Sequence, residues 1–266
     1  MFSPRRISGF EGLRRRIVDE MLEGVWREME ERGVVEVREI LQKGSLRNVV
    51  ESVFGRCVCL EGEELGLMVK EGYELISKFN WEDYFPLGFL DFCGEGEGVI
   101  SWREVQDSDI PNLPYLQAIV KEVLRLHPPG PLLSWARLAI HDVHVGKFFV
   151  PAGTMAMVNM WAITHEGSIW KNPWTFRPER FMEEEVSIMG SDLRLAPFGS
   201  GRRVCPGKAL GLATVHFWLA RLLHQFTWLP VPSHSVIDLS ECLRLSLEMK
   251  KPLACCVVRR KSAAII

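Results

Sequence analysis

Apolar residues recur every three or four positions in several separate stretches of this sequence, which is the spacing of amphipathic helices. In the first stretch the apolar positions, separated by charged residues, are Phe10, Leu13, Ile17, Met21, Leu22 and Val25. The pattern predicts helices over residues 9–31, 46–54, 65–79, 114–127 and 210–223. Pro114 begins the fourth helix and Pro128 stops it, because proline suits the first turn of a helix and disrupts its interior.

Short alternating or continuous apolar runs, bounded by turn residues, predict strands. They cover residues 137–140, 143–145, 147–150 and 154–159, and near the C-terminus residues 226–229, 243–253 and 254–258. We therefore expect a mainly helical fold with a small β-sheet. Alternating glycines between residues 94 and 98 favour a flexible turn, so we predict a helical N-terminal part over residues 1–98 and a second part over residues 99–266.

Charge and cysteine content narrow the possible functions. The net charge of -2 argues against nucleic acid as a partner. The seven cysteines include no Cys-x-x-Cys pair, so neither zinc nor a disulfide framework is expected, and a reducing compartment fits best. Acidic residues closely follow the run Arg14-Arg15-Arg16, which we interpret as a solvated helix face rather than a membrane or anion patch.

The candidate chemistry centres on one loop, Phe198-Gly-Ser-Gly-Arg-Arg-Val-Cys-Pro-Gly207, which leads into the most apolar helix. Its glycines and proline predict a tight turn with room for a flat group against the backbone. Cys205 lies near the N-terminal end of that helix, where unpaired N–H groups and the helix dipole stabilise a thiolate. Arg202 and Arg203 add positive charge. A thiolate presented to a planar, iron-bearing ring is what heme-thiolate ligation requires.

Two other interpretations of this loop are a buried structural cysteine and a phosphate-binding loop. A buried structural cysteine beside solvated arginines accounts for Cys205 alone but not for the whole set of spaced residues. A phosphate-binding loop needs four residues between its glycines and a hydroxyl after its lysine. Five residues separate Gly201 from Gly207, and Ala209 follows Lys208, so the phosphate loop is excluded.

The spacing Phe-x-x-Gly-x-Arg-x-Cys-x-Gly resembles the cysteine-ligand loop of the cytochrome P-450 family, most like its plant microsomal branch. The run Pro-Pro-Gly-Pro-Leu-Leu-Ser-Trp-Ala-Arg at residues 128–137 resembles family seventy-eight of that branch. The resemblance implies a partial cytochrome P-450 fold and a heme-thiolate monooxygenase that inserts one atom of dioxygen into a small apolar, fatty-acid-like substrate. Electrons come from NADPH through a separate reductase. By resemblance, Cys205 is the axial iron ligand, Arg203 binds a heme propionate and Phe198 packs near the ligand sulfur.

The resemblance extends to residues around this ligand. It assigns the loop glycines Gly199, Gly201 and Gly207 to the cofactor site. It makes Arg137 a second propionate ligand, although an ordinary exposed strand arginine is an equal alternative. Leu132, with the two residues that follow it, falls where the family lines its substrate pocket.

Glu122 and Arg125 are three residues apart on a predicted helix and are therefore neighbours on one face. A bare Glu-x-x-Arg pair is usually exposed and weak, but the apolar flanking residues favour partial burial here. Arg180, in the segment Phe176-Arg-Pro-Glu-Arg-Phe181, would complete a Glu-Arg-Arg triad of the kind found in the family. The resemblance implies that this triad is structural and lies beneath the heme.

The sequence departs from the family pattern in two places. It has no N-terminal apolar run of anchor length, and it has no Ala/Gly-Gly-x-Asp/Glu-Thr segment, whose acid and alcohol deliver protons during oxygen activation in the central helix. We therefore expect a truncated chain with impaired activity. The family implies the endoplasmic reticulum membrane, whereas a chain without an anchor fits the cytosol.

Two further alternatives stay open. One is a non-catalytic fragment that binds heme weakly or captures a reductase. The other is a cysteine-nucleophile hydrolase, although no His/Asp pair lies near Cys205 in the sequence.

Overall fold

The computed structural model of the chain describes residues 3–55, 103–132, 137–231, 237–243 and 246–260. Its helices are α1 (Pro4–Gly9), α2 (Glu11–Arg32), α3 (Val37–Phe54), α4 (Pro114–Leu126), α5 (Met160–Thr164), α6 (Arg180–Glu183) and α7 (Lys208–Gln225). Two short 3-10 turns, Asp107–Asn112 and Gly201–Arg203, precede α4 and α7. None of these described helices is both long and apolar enough to cross a membrane.

The strands of the described residues form small antiparallel sheets. They are β1 (Val35–Glu36), β2 (Arg137–Leu138), β3 (Val143–Val145), β4 (Phe148–Val150), β5 (Met155–Ala156), β6 (Phe226–Pro230), β7 (Glu241–Leu243), β8 (Leu247–Met249) and β9 (Ala254–Arg259). Strand β9 lies between β1 and β6, while β2 pairs with β5, β3 with β4 and β7 with β8. The prediction of a mainly helical fold with a small β-sheet component is confirmed. Strand β1 is a new element, because two residues are too short to produce an alternating pattern.

The core lies where α2, α4 and α7 pack together. Each helix contributes a side chain that is at most 1% exposed, namely Ile17, Ile119 and Phe217. They belong to one buried cluster that also includes residues of β6 and β9. Burying a side chain of this size contributes about 1.5–3 kcal/mol, so the shared apolar faces stabilise these helices more than local propensity does.

Both predicted parts of the chain contribute to this single cluster. The predicted boundary between residues 98 and 99 lies outside the described residues and stays a prediction. The predicted helix over residues 65–79 and the glycine turn near residue 96 also lie outside them. The first and fourth predicted helices correspond to α2 and α4 within a few residues at each end.

Helix α3 is longer than predicted, because it begins at Val37 rather than at residue 46. It passes α2 closely at Gly44, where an added Cβ would lie 2.5 Å from the sulfur of Met21. A larger residue at this position would require the Met21 side chain to move, so the glycine serves the close packing of the two helices.

The structure contradicts the interpretation of Arg14 as part of a solvated face, because its side chain is 1% exposed. Its guanidinium group donates a hydrogen bond to the Ile7 carbonyl at 2.9 Å and forms an ion pair with Asp107. The Arg14 carbonyl accepts a hydrogen bond from the Trp218 indole at 3.2 Å. Position 14 lies on the same helix face as Phe10 and Ile17, so the packed face includes a paired arginine.

We predict that Arg14→Met destabilises the fold. The substitution keeps a long side chain but leaves the partly buried Asp107 carboxylate without its counter-charge. Removing one partner of a fully buried pair costs about 3–5 kcal/mol; since Asp107 retains some solvent contact, we expect the free energy of unfolding to fall by about 2–3 kcal/mol. Urea denaturation followed by circular dichroism measures this change.

The matched control for this prediction is Arg15→Met. Arg15 pairs with Glu11 on the same helix, and both side chains are substantially exposed. The free energy of unfolding should change by no more than about 1 kcal/mol. Equal unfolding curves for the two variants would contradict the role assigned to Arg14.

Candidate functional site

The loop before α7 is closed on itself by backbone hydrogen bonds. The Gly199 N–H donates to the Ala196 carbonyl at 2.8 Å, and the Cys205 N–H donates to the Phe198 carbonyl at 2.9 Å. Gly199 and Gly201 have φ angles of 73° and 70°, in the left-handed region that glycine adopts readily. The chain therefore turns tightly and presents Cys205 at a fixed place beside the start of α7.

The Cys205 side chain is a free thiol that is partly buried and packs against the core. It precedes the first residue of α7, Lys208, by three positions. The first turn of α7 has no acidic residue, and its N-cap position, Gly207, supplies no side-chain hydrogen bond. No carboxylate in the first turn therefore neutralises the positive end of the helix dipole beside Cys205.

The loop leaves space above its glycines. A Cβ atom built on Gly199 or Gly201 would meet no heavy atom within 4 Å. Phe198 is buried behind the loop as part of the core. Gly207, by contrast, has an ordinary φ of -85°, so the tight turn needs only the first two glycines. The free sulfur and this open backbone surface together fit a flat, iron-bearing ring.

The two arginines predicted to bind propionates lie on different elements. Arg203 ends the 3-10 turn within the loop and is exposed. Arg137 is exposed on β2, where it is paired in register with Ala156 of β5. The structure thus places one arginine in the cysteine loop itself and the other on a separate two-stranded sheet.

Glu122 and Arg125 are fully buried on α4, and the structure brings Arg180 against them. Arg125 Nε and Nη2 donate to the two carboxylate oxygens of Glu122 at 2.8 and 2.9 Å. Arg180 Nε donates to Glu122 Oε2 at 3.0 Å. Two guanidinium groups therefore share one carboxylate inside the protein, with Arg125 bound in the bidentate geometry that arginine favours.

Backbone groups bind the other hydrogen-bonding positions of this triad. The Arg177 N–H donates to Glu122 at 2.8 Å, and Arg125 Nη1 donates to the Thr164 carbonyl at 2.8 Å. Arg180 Nη1 donates to the Lys171 carbonyl at 2.9 Å. Burial lowers the pKa of Arg180, while the charge of Glu122 acts against this shift. The triad thus attaches the coil between α5 and α6 to α4.

Sequence reasoning missed these backbone partners, because the path of an irregular segment leaves no periodic signal. It also missed the contact of Met189 and Gly190 with the cysteine loop, where the Ser200 hydroxyl donates to the Gly190 carbonyl at 2.5 Å. These residues lie ten or more positions before their partners. The glycine itself is the local sign that position 190 carries.

His165 and Cys255 have packing roles in the structure. His165 stacks on Trp161 with ring centroids 4.3 Å apart and lies tilted against Trp174 at 4.6 Å, and burial lowers its pKa. Cys255 lies buried on β9, where burial raises its pKa to about 12 and keeps it a thiol. Its neighbour Cys256 contacts the Gly33 carbonyl at 3.3 Å.

Comparison with known proteins agrees with this geometry. The sequence model of the family Cytochrome P-450 matches residues 95–256. Cytochrome P-450 78A5 of Arabidopsis thaliana is 43% identical and aligns over 98% of this chain and 70% of its own length. Cytochrome P-450 78A11 of Oryza sativa subsp. japonica is 36% identical over 99% of this chain and 68% of its own length.

The alignment with the Arabidopsis protein includes many positions that this chain lacks. It spans 364 positions, whereas 98% of the 266 residues is about 261, so roughly 103 aligned positions have no residue in this chain. A solved structure titled as a zebra fish cytochrome P-450 with abiraterone shares the fold, with a TM-score of 0.70, 23% identity, and coverage of 97% of this chain and 80% of its own.

Members of this family are monooxygenases that use heme with a thiolate iron ligand and take electrons from a reductase. Family model, curated relatives and fold all agree. The chain belongs to the cytochrome P-450 family.

Proposed function

We propose that this chain binds heme through the Cys205 thiolate and that its reaction class is monooxygenation of a small apolar substrate. The observation that carries the proposal is the free, half-buried thiol of Cys205 just before α7. The backbone of Cys205 is held there by the hydrogen bond from its N–H to the Phe198 carbonyl. The open surface over Gly199 and Gly201 supports it, because a planar ring needs such space.

Each residue of the proposed site has a distinct task. Bound heme supplies the oxygen-insertion chemistry of the family. Cys205 holds the iron and stays negatively charged, helped by the N-terminus of α7 and by Arg203. Arg203 and Arg137 bind the heme propionates as charge-assisted hydrogen-bond donors. Phe198 shields the sulfur from water on the core side, and Gly199, Gly201 and Gly207 keep the backbone close to the ring.

The triad of Glu122, Arg125 and Arg180 supports this site without touching the substrate. Its hydrogen bond from the Arg177 N–H to Glu122 attaches the coil after α5 to α4, and that coil leads through α6 to the cysteine loop. If the hydrogen bonds of the triad are lost, the segment that leads to the cysteine loop is no longer held against α4. We therefore propose that heme retention depends on the triad.

The finer functional assignments rest on the family. The substrate is a small apolar, fatty-acid-like molecule, and electrons arrive from NADPH through a separate reductase at the endoplasmic reticulum. Leu132 is the described member of the proposed pocket lining and is partly exposed. The two residues after it lie outside the described residues.

We also propose that oxygen activation is impaired in this chain. The sequence has no Ala/Gly-Gly-x-Asp/Glu-Thr segment, so it lacks the acid and alcohol that deliver protons in the family. The gap of roughly 103 positions is long enough to remove a central helix. We place the junction near residues 94–101.

A second candidate function follows from the same gap. Large apolar side chains are exposed among the described residues, including Phe54 on α3 and Leu138 on β2. We propose that a partner covers part of this exposed apolar surface. The second candidate is a non-catalytic fragment that captures a reductase and holds heme weakly.

The axial-ligand assignment predicts a specific spectrum. The full chain, loaded with hemin, reduced and exposed to carbon monoxide, should show a Soret band displaced far to the red, as thiolate ligation requires. Cys205→Ser should abolish that band. Cys242→Ser should preserve it, since Cys242 is a partly buried free cysteine on β7. Absence of the red-shifted band from the unmodified chain would favour the non-catalytic fragment.

Turnover tests the proposed impairment separately. The heme-loaded chain is mixed with a plant NADPH-dependent reductase and a medium-chain fatty acid, and product is quantified by mass spectrometry. Ordinary enzymes turn over at about 1 s⁻¹ or faster, and we expect this chain to fall well below that rate. A rate in the ordinary range would contradict the impairment.

The triad predicts a coupled loss of stability and heme retention. Glu122→Ala leaves two buried guanidinium groups without a counter-charge, which should lower the free energy of unfolding by about 3–5 kcal/mol. Heme should also dissociate faster to apomyoglobin. The control is Glu183→Gln, which weakens an exposed pair with Arg177 and should cost at most about 1 kcal/mol. Heme loss from the control as fast as from Glu122→Ala would refute this role.

A further inference from the structure

We infer that the backbone of Met189 and Gly190 is a strap that fixes the position of Cys205, with Gly190 as a positioning residue. The inference rests on the proposed function, because it concerns the loop that would present the iron ligand. It deepens that proposal by naming what holds the loop in place from outside.

The first observation is a close approach that only glycine permits. Gly190 has a φ of 94°, and a Cβ atom added to it would lie 2.7 Å from the Gly199 carbonyl oxygen and 3.4 Å from the Ser200 Cα. Real Cβ atoms essentially never come so near to backbone, so a larger residue must displace the loop. The positive φ strains such a residue as well.

Two hydrogen bonds join the strap to the loop on either side of this contact. The Ser200 hydroxyl donates to the Gly190 carbonyl at 2.5 Å, and the Lys208 ammonium group donates to the Met189 carbonyl at 2.7 Å. Cys205 lies between Ser200 and Lys208 in the chain. The strap therefore fixes the loop both before and after the sulfur.

The contact is transmitted to Cys205 through one residue of backbone. A side chain at position 190 would meet the Gly199 carbonyl, and the adjacent Phe198 carbonyl accepts the Cys205 N–H. Any movement of Gly199 away from an added side chain must move this acceptor or break its hydrogen bond. The sulfur would then lose the fixed direction that ligation of a flat ring requires.

The test compares two glycine variants with similar φ angles and different surroundings. Gly190→Ala meets the loop backbone, whereas Gly153 has a φ of 83° and nothing within 4 Å of an added Cβ. Gly153→Ala therefore introduces the same kind of backbone strain without the close approach. A difference between the two variants measures the contact with the loop.

The first readout uses the heme-free chain. Iodoacetamide labelling of Cys205 is followed over time by mass spectrometry of the peptide that contains it. We expect labelling to be about fivefold faster or more in Gly190→Ala, because displacement of the loop increases the fraction of molecules in which Cys205 is accessible. Gly153→Ala should match the unmodified chain. Equal rates in all three proteins would overturn the strap.

The second readout uses the heme-loaded, reduced chain with carbon monoxide. Gly190→Ala should convert most of the red-shifted Soret band to the band of a chain without thiolate ligation, and Gly153→Ala should not. If the unmodified chain lacks the red-shifted band, the proposed function fails, while the labelling rates still decide the strap. If the band is present and Gly190→Ala keeps it, the strap is overturned.

A double variant keeps the inference testable if Gly190→Ala does not fold. Ser200→Ala with Lys208→Met removes both hydrogen bonds to the strap and adds no atoms at the close contact. Circular dichroism should remain that of the unmodified chain, and Cys205 labelling should accelerate by about fivefold. Unchanged labelling in this folded variant would overturn the inference.

Discussion

The carboxylate of Glu122 is completely buried and accepts hydrogen bonds from Arg125, Arg180 and the Arg177 N–H. One buried carboxylate therefore neutralises two buried guanidinium groups. Such an arrangement is stable only when the remaining N–H donors of the guanidinium groups also have hydrogen-bond partners. They do so on the Thr164 carbonyl at the end of α5 and on the Lys171 carbonyl in the coil that follows. The course of that coil therefore depends on this charge pairing.

The cysteine loop is constrained in a different way, by backbone geometry. Its left-handed glycines and the hydrogen bond from the Cys205 N–H to the Phe198 carbonyl hold the turn through the backbone. The two devices are complementary: the triad holds the segment that leads to the site, and the loop geometry holds the Cys205 backbone. Both are present in this cytochrome P-450 chain.

Features of the fold and site were predicted correctly from the sequence when the residues that define them lie close together in the chain. The loop around Cys205 and the pair Glu122–Arg125 each lie within ten residues, so spacing alone placed them on a turn and on one helix face. Arg14 was interpreted wrongly, because a charged residue within an apolar stripe is buried only if a distant partner neutralises it. That partner, Asp107, lies 93 positions away and carries no sign of the contact. Strand β1 was missed for a similar reason, since β9 alone gives it a partner.

The sequence by itself determined helices α2, α4 and α7, most of the strands, the family and the candidate ligands for iron and propionates, because each depends on short-range spacing or residue chemistry. Only the tertiary structure decided that Arg180 meets Glu122 across 58 positions, that Arg14 is buried, and that Gly190 lies where an added Cβ would meet the cysteine loop. These contacts join segments that periodicity describes separately. Their formation depends on charge neutralisation and close packing between elements, which no local pattern encodes.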